Sequence, residues 1–226
     1  REDNMRYEIK INEVRNPESK IKAYAAVTFE DSFKVTDVAL VENREGRLFV
    51  SMPSYKSNER TEQNEPVYKD YCNPITKDFY EELTEAIIDA YENFVDTGER
   101  SYLIGEEVGE LPFTVSVSPC RTDRGNTKGY GRIYLDDCFV IQNVSILDGK
   151  NGIFATMPSA KKGTLANGKG KYKDVCYPVT AEFKKELNEA LVGAYHEALA
   201  KQREEVKEQS QTAPARDARV QETPFR

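Results

Sequence analysis

The chain has few of the residues that build metal sites and disulfide scaffolds. Its 226 residues include one histidine, His196, and four cysteines, and no two cysteines form a CxxC pair. Because a structural zinc site needs four such ligands at short spacings, we expect no metal and no cofactor. Four cysteines are also too few for a disulfide scaffold. Cys72 and Cys176 are predicted to be buried reduced thiols, and a disulfide between them is the alternative.

Long apolar runs are missing as well. No stretch approaches the roughly 20 apolar residues that cross a bilayer. Residues 1–10 also lack the apolar core of a signal peptide. We therefore expect a protein without membrane contact.

Residue sets that carry catalysis are equally scarce. A general base needs a partner within hydrogen-bond reach, and the sequence around His196 supplies none. The glycine-rich segment 163–170 lacks the GxxxxGK[ST] spacing of a phosphate-binding loop. Since no acid, base, nucleophile or metal set converges, enzymatic activity is not expected.

What the chain does contain is a long internal repeat. Met52-Pro53-Ser54 recurs as Met157-Pro158-Ser159, and the segment 68–76 recurs as 172–180. A repeat of this length indicates a duplicated domain, because solenoid repeats have periods of about 20–50 residues. The predicted organisation is repeat 1 over 1–95, an acidic linker over 96–110, repeat 2 over 111–200, and a helix extension followed by a disordered tail over 201–226.

Charge is divided unequally between these segments. Repeat 1 has 13 basic residues against 20 acidic ones, and the linker has 1 against 5. Repeat 2 has 12 basic against 9 acidic residues. The net charge of −7 therefore conceals a basic second repeat, an asymmetry that favours a division of labour between the two repeats.

Each repeat is predicted to form a small antiparallel sheet of about five strands followed by one helix. Apolar residues alternate with polar ones in the strand-like segments, as in 7–14. The apolar stripes that begin at Phe79 and Phe183 have helical spacing, and Thr76 and Thr180 suit the N-cap positions. Residues 54–66 are predicted to be a polar loop. The fold class is therefore α+β.

The most informative segment for function is 161–173, which contains no acidic residue and three glycines. Its lysines are Lys161, Lys162, Lys169, Lys171 and Lys173. A flexible loop of this kind can contact a phosphate backbone and release counterions, although it reads little sequence. Lys184 and Lys185, near the start of the second helix, extend the candidate site. The alternatives are an ordinary solvated loop and a solvated helix face.

The equivalent loop of repeat 1 has a different charge balance. Its basic residues are Lys56, Arg60 and Lys69, and its acidic residues are Glu59, Glu62 and Glu65. Because these charges cancel, we expect the loop of repeat 1 to bind polyanions poorly.

Four runs of repeat 2 are distinctive in combination: Asp137–Val144, Leu147–Ser159, Tyr172–Val179 and Ala194–His196. Together they resemble the SpoVG (stage V sporulation protein G) family of septation regulators. Repeat 1 resembles the family more weakly, over 9–94. The basic positions of the family correspond to Lys56, Lys69, Lys161, Lys162 and Lys173. Asn73 and Tyr177 stand where the family commonly has histidine.

The resemblance implies a small antiparallel sheet with a C-terminal helix, paired as a homodimer. It also implies a bacterial, cytoplasmic, non-enzymatic regulator that binds DNA and, in some members, RNA. Fusion of two copies would place the dimer contacts within one chain, so we expect a monomeric pseudo-dimer. The first hypothesis is a nucleic-acid-binding regulator that acts through repeat 2. The second is a protein-interaction adaptor that acts through acidic repeat 1 or an exposed sheet edge.

Overall fold

The computed structural model describes residues 5–16, 18–165 and 167–212. In chain order the first half contains β1 (Tyr7–Glu13), β2 (Ile21–Phe29), β3 (Phe33–Glu42), β4 (Leu48–Ser51), β5 (Ser54–Arg60), β6 (Pro66–Asp70), β7 (Cys72–Pro74), α1 (Lys77–Thr97) and β8 (Ser101–Ile104). The second half contains β9 (Phe113–Arg124), β10 (Thr127–Leu135), β11 (Phe139–Gly149), β12 (Gly152–Thr156), β13 (Ser159–Thr164), β14 (Gly170–Asp174), β15 (Cys176–Pro178) and α2 (Ala181–Thr212). The predicted α+β class is confirmed, with a sheet followed by a helix in each repeat.

The two main sheets are built from both repeats. Sheet 1 has the strand order β15-β3-β2-β1-β8, with β4 also paired to β3. Sheet 2 has the order β12-β11-β10-β9, with β7 also paired to β11. Cys72 in β7 lies opposite Ile141, and Cys176 in β15 lies opposite Val35. Each repeat therefore gives one short strand to the sheet of the other, which makes the chain a pseudo-dimer.

Aromatic packing joins the two repeats through a shared core. The Phe139 ring lies 5.2 Å from Phe29 and 6.5 Å from Phe79, between ring centroids. The equivalent contact with the repeats exchanged joins Phe33 and Phe183 at 6.4 Å. All five side chains are buried in one continuous cluster. Because burial of apolar surface is the main driving force for folding, this cluster is a major contributor to the stability of both repeats.

The helices begin where the sequence predicts. The Thr76 hydroxyl oxygen accepts a hydrogen bond from the Phe79 amide at 3.3 Å, and Thr180 accepts one from Phe183 at 3.2 Å. Both N-cap predictions are confirmed. Gly98 ends α1 in the left-handed conformation, with φ of 79°, which a glycine adopts without steric cost. None of the described helices is long and apolar enough to cross a membrane.

The two equivalent cysteines meet where the strands are exchanged. Cys72 and Cys176 are fully buried free thiols, as predicted. A hydrogen bond with the Cys72 thiol, together with burial, raises the pKa of Cys176 well above its ordinary value. Thiolate chemistry at Cys176 is therefore suppressed in the folded protein.

The prediction of a polar loop over 54–66 was wrong. Its first part forms β5, which pairs with β6 in a two-stranded hairpin, here called arm 1 (Ser54–Asp70). The basic segment of repeat 2 likewise forms a hairpin rather than an open loop, here called arm 2 (Ser159–Asp174). In the part of the chain that the structure describes, the two strands of each arm pair only with each other. Each arm is polar on both faces, so its strands lack the alternation of apolar and polar residues that identifies a half-buried strand.

The two repeats differ at one sheet edge. The predicted linker contains β8, a strand that the sequence did not predict, and β8 covers the outer edge of β1. The Ile11 amide donates to the Arg100 carbonyl at 2.8 Å in this pairing. In the described part of repeat 2, no strand pairs with the outer edge of the equivalent strand β9. Ile9 and Ile11 are fully buried, whereas the equivalent Val115 and Val117 are half-buried. The tail predicted to be disordered lies outside the described residues from 213 onward.

Candidate nucleic-acid interface

Arm 2 gathers five of the seven predicted lysines on one hairpin. Lys161 lies opposite Tyr172, Ala160 lies opposite Lys173, and Gly163 lies opposite Lys171 after a bulge at Lys162. Directly opposed residues share a face, and neighbours along a strand point to opposite faces. Lys161 and Tyr172 therefore lie on one face of the arm, and Lys171 and Lys173 lie on the other.

The Tyr172 ring lies among the predicted lysines of arm 2. It is 63% exposed. With Lys161 beside it, the face offers a stacking surface and a cation together. Proteins that bind single-stranded nucleic acids use this combination. The signal available in the sequence was the recurrence of the Lys–Tyr pair in arm 1.

Arm 1 has an equivalent Lys–Tyr pair, but the lysine next to its tyrosine is paired with a carboxylate. Lys56 lies opposite Tyr68, which is exposed to the same fraction as Tyr172. Lys69 forms an ion pair with Glu59, and that hydrogen bond raises the pKa of Lys69. Arm 1 therefore has the same hairpin topology as arm 2, with fewer cations available for phosphate.

Asp37 of repeat 1 contacts the base of arm 2. One oxygen of its carboxylate lies 3.0 Å from Lys162 Nζ, and the other lies 3.9 Å from Lys173 Nζ. Asp37 sits at a bulge of sheet 1 in the left-handed conformation, with φ of 61°. The equivalent residue of repeat 2 is Asn143, with φ of 58°, and its side-chain amide donates to the Tyr55 hydroxyl at 2.9 Å. Among the described residues, arm 2 therefore has an ion-pair contact with the other repeat, and arm 1 has none.

The remaining predicted lysines differ in their surroundings. Lys161, Lys169 and Lys171 are exposed, and none has an ion-pair partner among the described residues. Lys184 lines a cavity of about 540 Å³ together with Asp174, at the base of arm 2. Lys185 is exposed on α2, where its Nζ lies 3.9 Å from a Glu189 carboxylate oxygen. The structure therefore brings Lys184 to the arm and leaves Lys185 on a solvated helix face.

The described residues include no group of three or more His, Cys, Asp or Glu side chains that could hold a metal ion. His196 lies on α2 with its ring 5.4 Å from that of Tyr195, between centroids.

Comparison with known proteins finds one family in both repeats. The model of the SpoVG family matches residues 5–93 and 113–197. The chain is similar to the putative septation protein SpoVG of Clostridioides difficile (strain 630), with 37% identity over 78 residues, 34% of this chain and 79% of the relative. The protein of the same name from Treponema denticola is 40% identical over 76 residues, 33% of this chain and 76% of the relative. The one from Heliobacterium modesticaldum is 32% identical over 76 residues, 34% of this chain and 80% of the relative.

Proposed function

Because the chain belongs to the SpoVG family in both of its repeats, we propose that it is a non-enzymatic, cytoplasmic regulator that binds DNA or RNA through repeat 2. The observation that carries this proposal is arm 2, a hairpin with five lysines, one exposed tyrosine and a single carboxylate at its end. Its charge and shape suit a phosphate backbone. Its lysines would fix position on the polymer and contribute little sequence preference.

Within arm 2 the lysines have separate roles in this proposal. Lys161, Lys169 and Lys171 contact phosphates, because they are exposed and have no internal carboxylate partner in the described chain. Lys162 and Lys173 contact Asp37 and also contact the ligand, so each contributes less to ligand binding than an unpaired lysine. Lys184 extends the basic surface at the base of the arm. Repeat 1 acts mainly as the structural partner.

We further propose that the chain is a monomer in solution. The strands that the two repeats exchange are paired within one chain, so an effectively intramolecular contact replaces association of two subunits. Light scattering should give the mass of one chain over a wide concentration range. A stable dimer of this chain would contradict this proposal.

Salt dependence of binding tests the proposed function. Fluorescence anisotropy with a labelled DNA duplex and a labelled single-stranded RNA should show binding at about 50 mM salt. If about four phosphates are contacted, the affinity should fall roughly a hundredfold by about 200 mM salt. Absence of binding at low salt, or binding that salt does not weaken, would contradict the role of arm 2.

Removing the Asp37 charge should strengthen binding. In Asp37→Asn, Lys162 and Lys173 no longer have a carboxylate that competes with phosphate, and asparagine tolerates the left-handed backbone, as Asn143 does. We expect affinity at low salt to rise about three- to tenfold. The slope of log affinity against log salt concentration should steepen by the amount that one or two additional phosphate contacts predict. Titration of the same labelled duplex measures both quantities.

The matched control for that variant is Asp96→Asn, which makes the same change of net charge at an exposed position of α1. It should leave affinity close to that of the unmodified chain. Weaker binding by Asp37→Asn would mean that Asp37 orients the arm lysines for the ligand and does not compete with it.

A second candidate function is supported by the open edge of β9. The equivalent edge of β1 is covered by β8, whose Tyr102 and Ile104 are half-buried against the core. An extended peptide with apolar residues at alternate positions could add to β9 in the same manner. If the chain binds no nucleic acid at low salt, capture of such a peptide, and its loss when Val115 is changed to proline, would favour this adaptor function.

A further inference from the structure

The face of sheet 2 that points away from α2 carries a row of aromatic and basic residues on β10. A Cβ atom at Gly131 would lie 3.0 Å from Leu191 Cδ2 on α2, so the odd-numbered residues of this stretch face the helix. Since neighbours along a strand point to opposite faces, Tyr130, Arg132 and Tyr134 point away from it. We call this row and its neighbours on β9 the outer face of sheet 2.

The outer face is open and basic. Tyr130 is 53% exposed, Arg132 is exposed and Tyr134 is half-buried. Across the strand pair, they lie opposite residues with small hydroxyl side chains. These opposed residues are Ser118, Ser116 and Thr114, respectively. Arg132 has no ion-pair partner among the described residues, and the opposed stretches 114–118 and 130–134 contain no carboxylate.

The equivalent face of repeat 1 has a different set of side chains. At the positions equivalent to Tyr130, Arg132 and Tyr134 it has Tyr24, Ala26 and Thr28. Its neighbouring strand β1 carries Glu8, which is paired with Lys10 at 3.1 Å. On these opposed pairs, the outer face of sheet 2 therefore has one additional ring and no carboxylate, and its cation Arg132 has no ion-pair partner among the described residues, whereas Lys10 of repeat 1 is paired with Glu8. Core packing does not require the charge of Arg132, because this side chain is exposed.

We propose that the outer face of sheet 2 binds single-stranded nucleic acid by stacking bases on Tyr130 and Tyr134. Residues i and i+4 of a strand lie about 13 Å apart, which leaves Arg132 between the rings to contact a phosphate or the face of a base. A duplex does not present the faces of its bases, so this surface discriminates single strands from duplexes. The inference rests on the proposed nucleic-acid binding and adds a second site, separate from arm 2, for one class of ligand.

Charge complementarity favours this occupant over a protein segment. The only formal charge in the row is the Arg132 guanidinium, and its flanking groups are hydroxyls, which donate hydrogen bonds to phosphate oxygens. An apolar peptide would gain little from such a surface. The unpaired edge of β9 is a different feature, formed by backbone groups, and takes no part in this proposal.

Anisotropy with a labelled single-stranded RNA and a labelled DNA duplex of equal length tests the inference. Tyr130→Ala should weaken RNA binding about 5- to 100-fold, as the loss of one stacked base predicts, and should leave duplex binding unchanged. Arg132→Gln should also weaken RNA binding. The matched control is Tyr24→Ala in repeat 1, which removes the equivalent ring and should change neither affinity.

Crosslinking gives a second readout that does not depend on a substituted protein. RNA containing 4-thiouridine, bound to the unmodified chain and irradiated, should attach to a peptide that includes Tyr130. Crosslinks confined to arm 2, or RNA affinity unchanged in both Tyr130→Ala and Arg132→Gln, would overturn the inference while nucleic-acid binding by arm 2 stands. If the unmodified chain binds neither probe at low salt, the proposed function fails and this inference fails with it.

Discussion

Reversing three lysines of arm 2 should lower affinity for a DNA duplex about a thousandfold at about 50 mM salt. The variant combines Lys161→Glu, Lys169→Glu and Lys171→Glu. These side chains are exposed and free of ion pairs among the described residues, so each can release one counterion at a phosphate. Lys162 and Lys173 are kept because their contacts with Asp37 hold the base of the arm. Anisotropy at several salt concentrations should also show a shallower slope of log affinity against log salt concentration, by the amount that the loss of about three phosphate contacts predicts.

The matched control makes three reversals in arm 1, Lys56→Glu, Arg60→Glu and Lys69→Glu. Both variants change the net charge of the chain by the same amount, and both hairpins have the same topology. We expect a much smaller loss from the control, since Lys69 is already paired with Glu59. Equal losses would mean that only the overall charge matters, which would contradict a binding site on arm 2. A peptide bound at the edge of β9 should be unaffected by either variant.

The local features of the fold were predictable because they depend on residues close in sequence. The N-caps at Thr76 and Thr180 follow from one side chain and the amide three residues later. The apolar stripes of the helices follow from the helical period. The duplication is visible as a repeated sequence, and it predicted that both repeats would have the same fold.

The exchange of strands could not be predicted in the same way. Cys72 pairs with Ile141, and Cys176 pairs with Val35, and no local period indicates which repeat supplies the neighbouring strand. Only the family resemblance, through its implied dimer, suggested that the two repeats would pack together. The strand β8 was missed because four residues in an acidic segment give too short an alternation to identify.

The position of the candidate site in the sequence was predictable from its lysine content, but the arrangement of its side chains was not. The lysine content of 161–173 identified the basic segment, but not the hairpin that divides its lysines between two faces. The contact between Asp37 and Lys162 joins residues from different repeats, so no motif could indicate it. The outer face of sheet 2 was also invisible in the sequence. In the sequence, Tyr130 and Arg132 have the pattern of ordinary strand residues. The structure shows that they lie on the face of sheet 2 opposite α2 and are exposed.

Truncating Phe139 should lower the free energy of unfolding by about 3–5 kcal/mol. The side chain is 1% exposed and packs on Phe29 and Phe79, both from repeat 1, so Phe139→Ala leaves a cavity in the core that the repeats share. Urea denaturation followed by circular dichroism and by tyrosine fluorescence should give one coincident transition, shifted to lower urea for the whole chain. Phe49→Ala is the control, because Phe49 is 46% exposed and its loss should cost less than about 1 kcal/mol. Two separate transitions, with only the one for repeat 2 shifted, would contradict the shared core and would mean that each repeat folds as an independent unit.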